Sequence, residues 1–200
     1  MGYITPEQAA EAAKGLNFEK VWTALMESRQ SMDELFRRSE EAHAKGMAEL
    51  RAELNKSIGG LGNSLGRFIE TMFTPDLLEK FDKLGFTFNT QANYKQFHEN
   101  KKCVAEVDSV LENGEYVLLV EIKTNLSVDN VNEHLERIEI IRQYMDKHGD
   151  IRKIVGAVAG GIVPKNVQLY AQRKGMFVLV QNGDAVSIAE MPANFKSRIW

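Results

Sequence analysis

The stretch EVDSVLENGEYVLLVEIKTNL, Glu106 to Leu126, constrains the fold more than any other part of the chain. Two apolar runs flank Asn113-Gly114, the dipeptide favoured by a two-residue hairpin turn. The second run, Val117 to Val120 followed by Ile122, has the composition of a strand buried on both faces, yet it ends in Glu121 and Lys123. Unpaired charges in such surroundings are costly, so they either face outward at the edge of a core or are held there for a purpose. With Asn113 and Gly114 as the loop, Glu112 pairs with Glu115, Asp108 lies opposite Leu119 and Glu106 opposite Glu121. Asp108, Glu106, Glu121 and Lys123 then project to one face, with Asp108 and Glu121 as diagonal neighbours about 7–8 Å apart, while Leu118, Val120 and Ile122 face the core. Two carboxylates converging in this way form the oxygen-rich surroundings that Mg²⁺ prefers, and a lysine beside them can steady an attacking water or a phosphate. The plainer alternative is an exposed ion pair, Glu121 or Glu106 with Lys123, worth little energetically.

The rest of the chain supplies a setting for that hairpin. Its 200 residues, 44% of them hydrophobic, suffice for one domain plus an appendage. From Thr5 to about Asn63 the sequence reads as helix, starting at Pro6. Val21, Leu25, Ser28, Met32, Leu35, Ser39 and Ala42 recur at alternating steps of four and three, and Met47, Leu50 and Leu54 resume the pattern. That spacing predicts a coiled coil or helical hairpin over residues 1–60, with self-association through this arm. Gly59, Gly60 and Gly62 loosen the helix and mark a boundary, so residues 61–200 form the second domain. Within it the pattern predicts a helix carrying Leu65, Phe68, Ile69, Met72 and Phe73, a helical turn from Asp76 to Leu84, and a short strand at Phe86 to Phe88. After the hairpin come a helix over Ser127 to His148 with Val131, Leu135, Ile138, Ile141 and Met145 inward, and a strand over Ile154 to Ala159. A helix over Lys165 to Arg173, a strand from Phe177 to Val180, a turn at Asn182-Gly183 and a last short strand complete the order. The class is α/β, a mixed central sheet flanked by helices, with an N-terminal helical arm.

An acidic residue in one strand, Glu-x-Lys at the end of the adjoining strand, a preceding helix with a glutamate and a following long helix together resemble the PD-(D/E)XK, restriction-endonuclease-like superfamily. The matching residues are Asp108, then Glu121-Ile122-Lys123, with Glu70 in GRFIETMF as the helix acid. Val107 stands where the family usually has proline. The resemblance covers about Leu61 to Ala189. It is closer still, over EVDSVLENGEYVLLVEIKT, AQRKGMFVLVQNGDAVSI and FKSRIW, to uncharacterised bacterial members. It implies metal-dependent hydrolysis of phosphodiester bonds, with DNA as substrate and Mg²⁺ or Mn²⁺ as cofactor. Asp108 and Glu121 would be metal ligands, Lys123 would orient water, and Glu70 would be a weaker ligand. Glu106 could join the site or merely flank it. The Gln-x-x-x-Tyr found in some members does not transfer, since Gln143 and Tyr144 are adjacent. A catalytically silent member, serving as an oligomerising or nucleic-acid-binding module, is the competing reading.

Other features exclude more than they suggest. A formal charge of −3 gives no bulk attraction to nucleic acid, so phosphate contacts must be local, and Lys101, Lys102, Arg152 and Lys153 are the candidates. One cysteine, Cys103, excludes an intrachain disulfide and reads as a small core residue. The four histidines show no ligand spacing, and AGGIVP, Ala159 to Pro164, reads as a turn. No run reaches the roughly 18 apolar residues of a membrane span, and the expected location is cytoplasmic.

Overall fold

The computed structural model describes residues 18–39, 44–75, 77–182 and 185–200. The expectations for Pro6, Ala42, the start of a helix at Asp76 and Gly183 lie outside them. The chain divides into two compact units, one up to Ser64 and one from Leu65.

The first unit holds helix α1 (Phe18–Ser39) and most of α2 (Ala44–Phe73). Met32, Leu35 and Phe36 of α1 and Leu50 and Leu54 of α2 line one apolar groove of about 530 Å³. Helix α2 runs unbroken through the glycines at 59, 60 and 62, and the division between the two units follows just after them. Each glycine costs a solvent-facing helix about 1 kcal/mol relative to alanine, which the helix formers around them can offset.

The second unit is built on a six-stranded sheet in sequential order: β1 (Thr90–Glu99), β2 (Lys102–Glu112), β3 (Tyr116–Asn125), β4 (Lys153–Ile162), β5 (Phe177–Asn182) and β6 (Ala185–Ile188). Strands β1 to β3 are antiparallel, β3 to β5 parallel, and β6 antiparallel again. The sheet is therefore mixed, as the element order predicts. Helix α4 (Val128–Lys147) links the parallel strands β3 and β4, and α5 (Lys165–Arg173) links β4 and β5. Val131, Ile138, Ile141 and Met145 of α4 join Val167 and Ala171 of α5 against Val117, Leu119, Ile154, Val158 and Val178. His134, rather than Leu135, completes the fully buried stripe of α4.

Phe177 and Leu179 alternate to the opposite face, where Phe177 meets Phe81 of the short helix α3 (Leu77–Asp82) edge to face at 5.4 Å. Phe86 lies 5.8 Å from Phe177 and 5.3 Å from Tyr116. Phe86 and Phe88 are thus aromatic anchors of this second core and not a strand. The first strand is instead the largely exposed, polar run Thr90–Glu99, which owes its conformation to pairing with β2. Cys103 is exposed at the start of β2, not in the core. Gly160 and Gly161 belong to β4 rather than to a turn, and a Cβ on Gly160 would meet Val163 at 2.7 Å and Leu126 at 3.1 Å.

The hairpin turn differs from its expected form. The register sets Glu112 opposite Val117, so Gly114 and Glu115 are the loop residues, and neither Asn113 nor Gly114 has positive φ. The Asn113 side chain closes the loop instead: its Oδ1 accepts from the N–H groups of Glu115 at 2.8 Å and Tyr116 at 2.6 Å, and its Nδ2 donates to Thr87 O at 2.8 Å. Because the register moved by an even number, each residue keeps its expected face. Asn113→Ala is expected to lower stability by about 1–2 kcal/mol, whereas Asn113→Asp, which keeps the acceptor, costs less. Urea midpoints for the two variants check this; equal losses would show that the Oδ1 bonds do not hold the turn.

Candidate functional site

The ladder between β2 and β3 runs from Glu112↔Val117 to Ser109↔Val120. One step further Asp108 would face Glu121, and beyond it the strands no longer pair. Alternation of the antiparallel bonds assigns the Ile122 N–H to a β2 carbonyl at the next position. The Asp108 carboxylate takes that place, with Oδ2 accepting the Ile122 N–H at 2.7 Å. On its other side Asp108 faces Tyr94, which falls between the pairs Asn93↔Ser109 and Lys95↔Val107 with φ of 54°. A non-glycine residue in that conformation is uncommon and marks a local departure from ladder geometry.

Glu121 follows on β3 and is only 2% exposed. It is held by two cations: Lys123 Nζ lies 2.5 Å from Oε1, and Arg137 Nη1 from α4 bonds Oε2. Beneath them His134 is fully buried, its Nε2 3.2 Å from Leu119 O, while its Nδ1 has no hydrogen-bond partner. Burial pushes its pKa down to about 4, against the opposing pull of Glu121, so the ring is neutral at pH 7 and Nε2 carries the proton donated to Leu119 O.

The electrostatics tie the expected residues together. Burial, then the charge on Glu121, and further the charge on Glu70 push the Asp108 carboxyl up to about 6, while the Ile122 N–H and Lys123 pull it down. For Lys123, burial disfavours the ammonium, but Glu121 and Asp108 outweigh it and the net direction is upward, so it stays charged. Asp108, Glu121, Lys123 and the exposed Glu70 at the end of α2 therefore share one electrostatic neighbourhood. Helix α4 covers this face of β3 and leaves Glu121 buried and Asp108 and Lys123 only partly exposed.

The remaining candidates are dispersed. Glu106 pairs across to Gln96, and its Oε2 accepts from the exposed Tyr94 hydroxyl at 3.0 Å. Arg152 lies 2.5 Å from Asp150 and 3.8 Å from Glu112, and Lys153 lies 2.7 Å from Glu115. Both sit where β4 begins, beside Tyr116, about 17 Å along β3 from Glu121 at 3.3 Å per residue. Their charges are matched by these acids, and they lie apart from Asp108 and Glu121. Lys101 and Lys102 are exposed at the tip of the β1–β2 ribbon.

Arg137 and His134 are the site residues that motif reading missed. A histidine on the apolar stripe of α4 and an arginine one turn on were the available signal, legible only once that helix is laid over β3.

The donor set suits a hard cation. Asp108 and Glu121 offer only oxygen, and Mg²⁺ is commonly bound through one or two carboxylates with water and substrate phosphate filling its other positions. Among the described residues no group of three or more His, Cys, Asp or Glu is gathered to hold an ion. Two carboxylates, Asp108 with its raised pKa and Glu121 with both oxygens paired to cations, are what the residues present supply. Compared with protein-family models, with curated proteins and with solved structures, the chain matches none. No helix among the described residues is long and apolar enough to cross a membrane.

The raised Asp108 pKa carries a stability consequence. As pH rises from about 4 through 6, the folded protein surrenders a proton that it holds more tightly than the unfolded chain does, so stability falls across that window. The cost above pH 7 is on the order of 2–3 kcal/mol. Asp108→Asn keeps an acceptor for Ile122 N–H and removes the charge, and it is expected to raise the melting temperature at pH 7.5 with a gain that fades towards pH 4. A melting temperature at pH 7.5 below that of the unmodified protein would contradict this account.

Proposed function

We propose that the chain is a divalent-metal-dependent nuclease of the restriction-endonuclease-like kind, hydrolysing phosphodiester bonds in DNA with Mg²⁺ or Mn²⁺. The observation that carries this reading is the accumulation of negative charge at the end of the β2–β3 ladder. Asp108 is pushed up to about 6 beside a buried Glu121, with Glu70 adding to the same field. Such costly arrangements of titratable groups concentrate at functional sites, and a bound cation relieves this one. In this reading Asp108 and Glu121 bind the metal, Glu70 assists from α2, and Lys123 orients the attacking water. The metal supplies charge neutralisation at phosphorus and a more acidic water; the protein holds its ligands and keeps a lysine charged beside them. Lys101 and Lys102 at the ribbon tip are the basic residues free of the acid pairs that bind Arg152 and Lys153, and they serve as DNA contacts here.

A second reading has its own support. Glu121 is already doubly paired, and no three-ligand group is gathered among the described residues. A catalytically silent member of the same fold, binding nucleic acid without cutting it, would look like this. Incubation of the full chain with linear, supercoiled, branched and single-stranded DNA and with RNA, in Mg²⁺ or Mn²⁺, separates the two. Cutting is expected to fall at least a hundredfold in Glu121→Ala and in Lys123→Ala, an effect on the scale of losing one transition-state-stabilising group. Cleavage that survives Glu121→Ala sinks the site, and binding without cleavage selects the silent module.

The arm acts, in this proposal, as a self-association element. Leu35 and Leu50 line the α1–α2 groove yet remain 66% and 53% exposed, which is the face a second copy of the arm would cover. Light scattering on the full chain is expected to give a dimer or larger mass that drops to the monomer in a Leu35→Asp, Leu50→Asp double variant. A monomeric mass for the unmodified chain would end this assignment.

A further inference from the structure

Glu121 poses a question that the nuclease reading leaves open, because both of its oxygens already carry a cation. Lys123 is attached to the same strand and the same face, so its contact with Oε1 is local. Arg137 comes from α4, and its side chain also lines an open groove of about 330 Å³ together with Cys103, Glu106, Glu133, Glu136 and Ile140. It therefore has room to leave.

We propose that Arg137 is a positioning residue that holds Glu121 until an anionic substrate draws its guanidinium away, so that metal loading is coupled to nucleic-acid binding. The proposal rests on the metal-site reading of Asp108 and Glu121. A carboxylate 2% exposed cannot be left without counter-charge, since breaking a buried pair by removing one partner is strongly unfavourable. Arg137 and a divalent cation thus compete for one carboxylate, and one arrives as the other departs. A guanidinium gives up such a partner readily only for another acceptor that matches its fork, and the paired oxygens of a phosphodiester do so. A phosphate that binds Arg137 thereby frees Glu121, and by linkage a metal on Glu121 frees Arg137 for phosphate; each tightens the other by the same factor. Lys123 does not compete in this way, because it sits two residues along the same strand and pairs with Oε1, leaving Oε2 to Arg137.

The test uses the full chain and two readouts apart from cleavage. Mn²⁺ binding is measured by calorimetry without nucleic acid, and affinity for a labelled phosphorothioate DNA duplex is measured by anisotropy with and without Ca²⁺. The unmodified protein is expected to bind Mn²⁺ weakly alone and to bind the duplex roughly tenfold more tightly when Ca²⁺ is present. Arg137→Gln is expected to bind Mn²⁺ roughly tenfold more tightly than the unmodified protein and to lose most of the Ca²⁺ effect on the duplex. Arg137→Lys, which keeps the charge but not the fork, is expected between the two and keeps the comparison readable where Arg137→Gln fails to fold. Mn²⁺ that binds through Glu121, as Glu121→Ala shows, but with an affinity indifferent to both Arg137 substitutions overturns the coupling alone. Duplex affinity of the unmodified protein that ignores Ca²⁺ does the same. Mn²⁺ binding that is absent, or unchanged by Glu121→Ala, overturns the metal site and the coupling with it.

Discussion

Strand β2 cannot serve both of its neighbours over its whole length. It pairs with β1 from Lys102 to Glu112 but with β3 only from Ser109 to Glu112, so the two strands part inside the sheet and leave main-chain donors to be satisfied. Asp108 resolves one of them through the Ile122 N–H. The same bond fixes the carboxylate at the mouth of the opening, next to Glu121, and the positive φ of Tyr94 on the outer strand falls across from it. The site is thus a by-product of where the ladder ends. A residue without an acceptor at 108 would leave an unpaired N–H in partly buried surroundings, so this position is fixed by the fold before any chemistry is considered.

Two opposed tendencies meet at that opening. The N–H bond and Lys123 favour ionised Asp108, whereas burial, Glu121 and Glu70 oppose it and raise its pKa to about 6, so that it is ionised at pH 7 but at a cost. Glu121 is paired with Lys123 and Arg137, each of which would be missed, because a buried charge stripped of a partner is far worse than an exposed one. His134 is held neutral beneath them by burial, so it adds no third cation. Three acids face two bases, and the surplus negative charge lies on Asp108.

Much of this was legible in residue order. The hairpin, the helix after it, the alternation of parallel strands with helices and the shared face of Asp108, Glu121 and Lys123 follow from periodicity and spacing. The shared face survived a wrong turn assignment because the register moved by two residues, and one residue would have reversed it. What escaped notice was set by tertiary contact. Thr90–Glu99 is a strand through its partner and not through its composition, while Phe86 and Phe88 look like a strand but serve as ring contacts. Arg152 and Lys153 stand out in the sequence as basic residues, and only the fold places Asp150, Glu112 and Glu115 beside them. Arg137 stands out only once α4 is laid over β3.

The route by which Arg137 reaches Glu121 runs through the crossover between β3 and β4. Lys123 pairs with Gly160, and the absence of a side chain there lets Leu126 and Val163 close over the strand ends. The Leu126 N–H then donates to Ile162 O at 2.9 Å, which fixes the chain just before α4. Ser127 caps that helix, accepting from the Asn130 N–H at 3.2 Å, while the Asn130 side chain accepts from the Ser127 N–H at 3.1 Å. From that fixed start the helical repeat delivers Val131, His134 and Ile138 to the sheet and Arg137 beside them. Long side chains on a helix lean back towards its start, and here that direction points to the strand end where Glu121 lies. The guanidinium that balances the site therefore depends on a glycine in one strand, a cap at one helix end and the pitch between them, none of which carries charge.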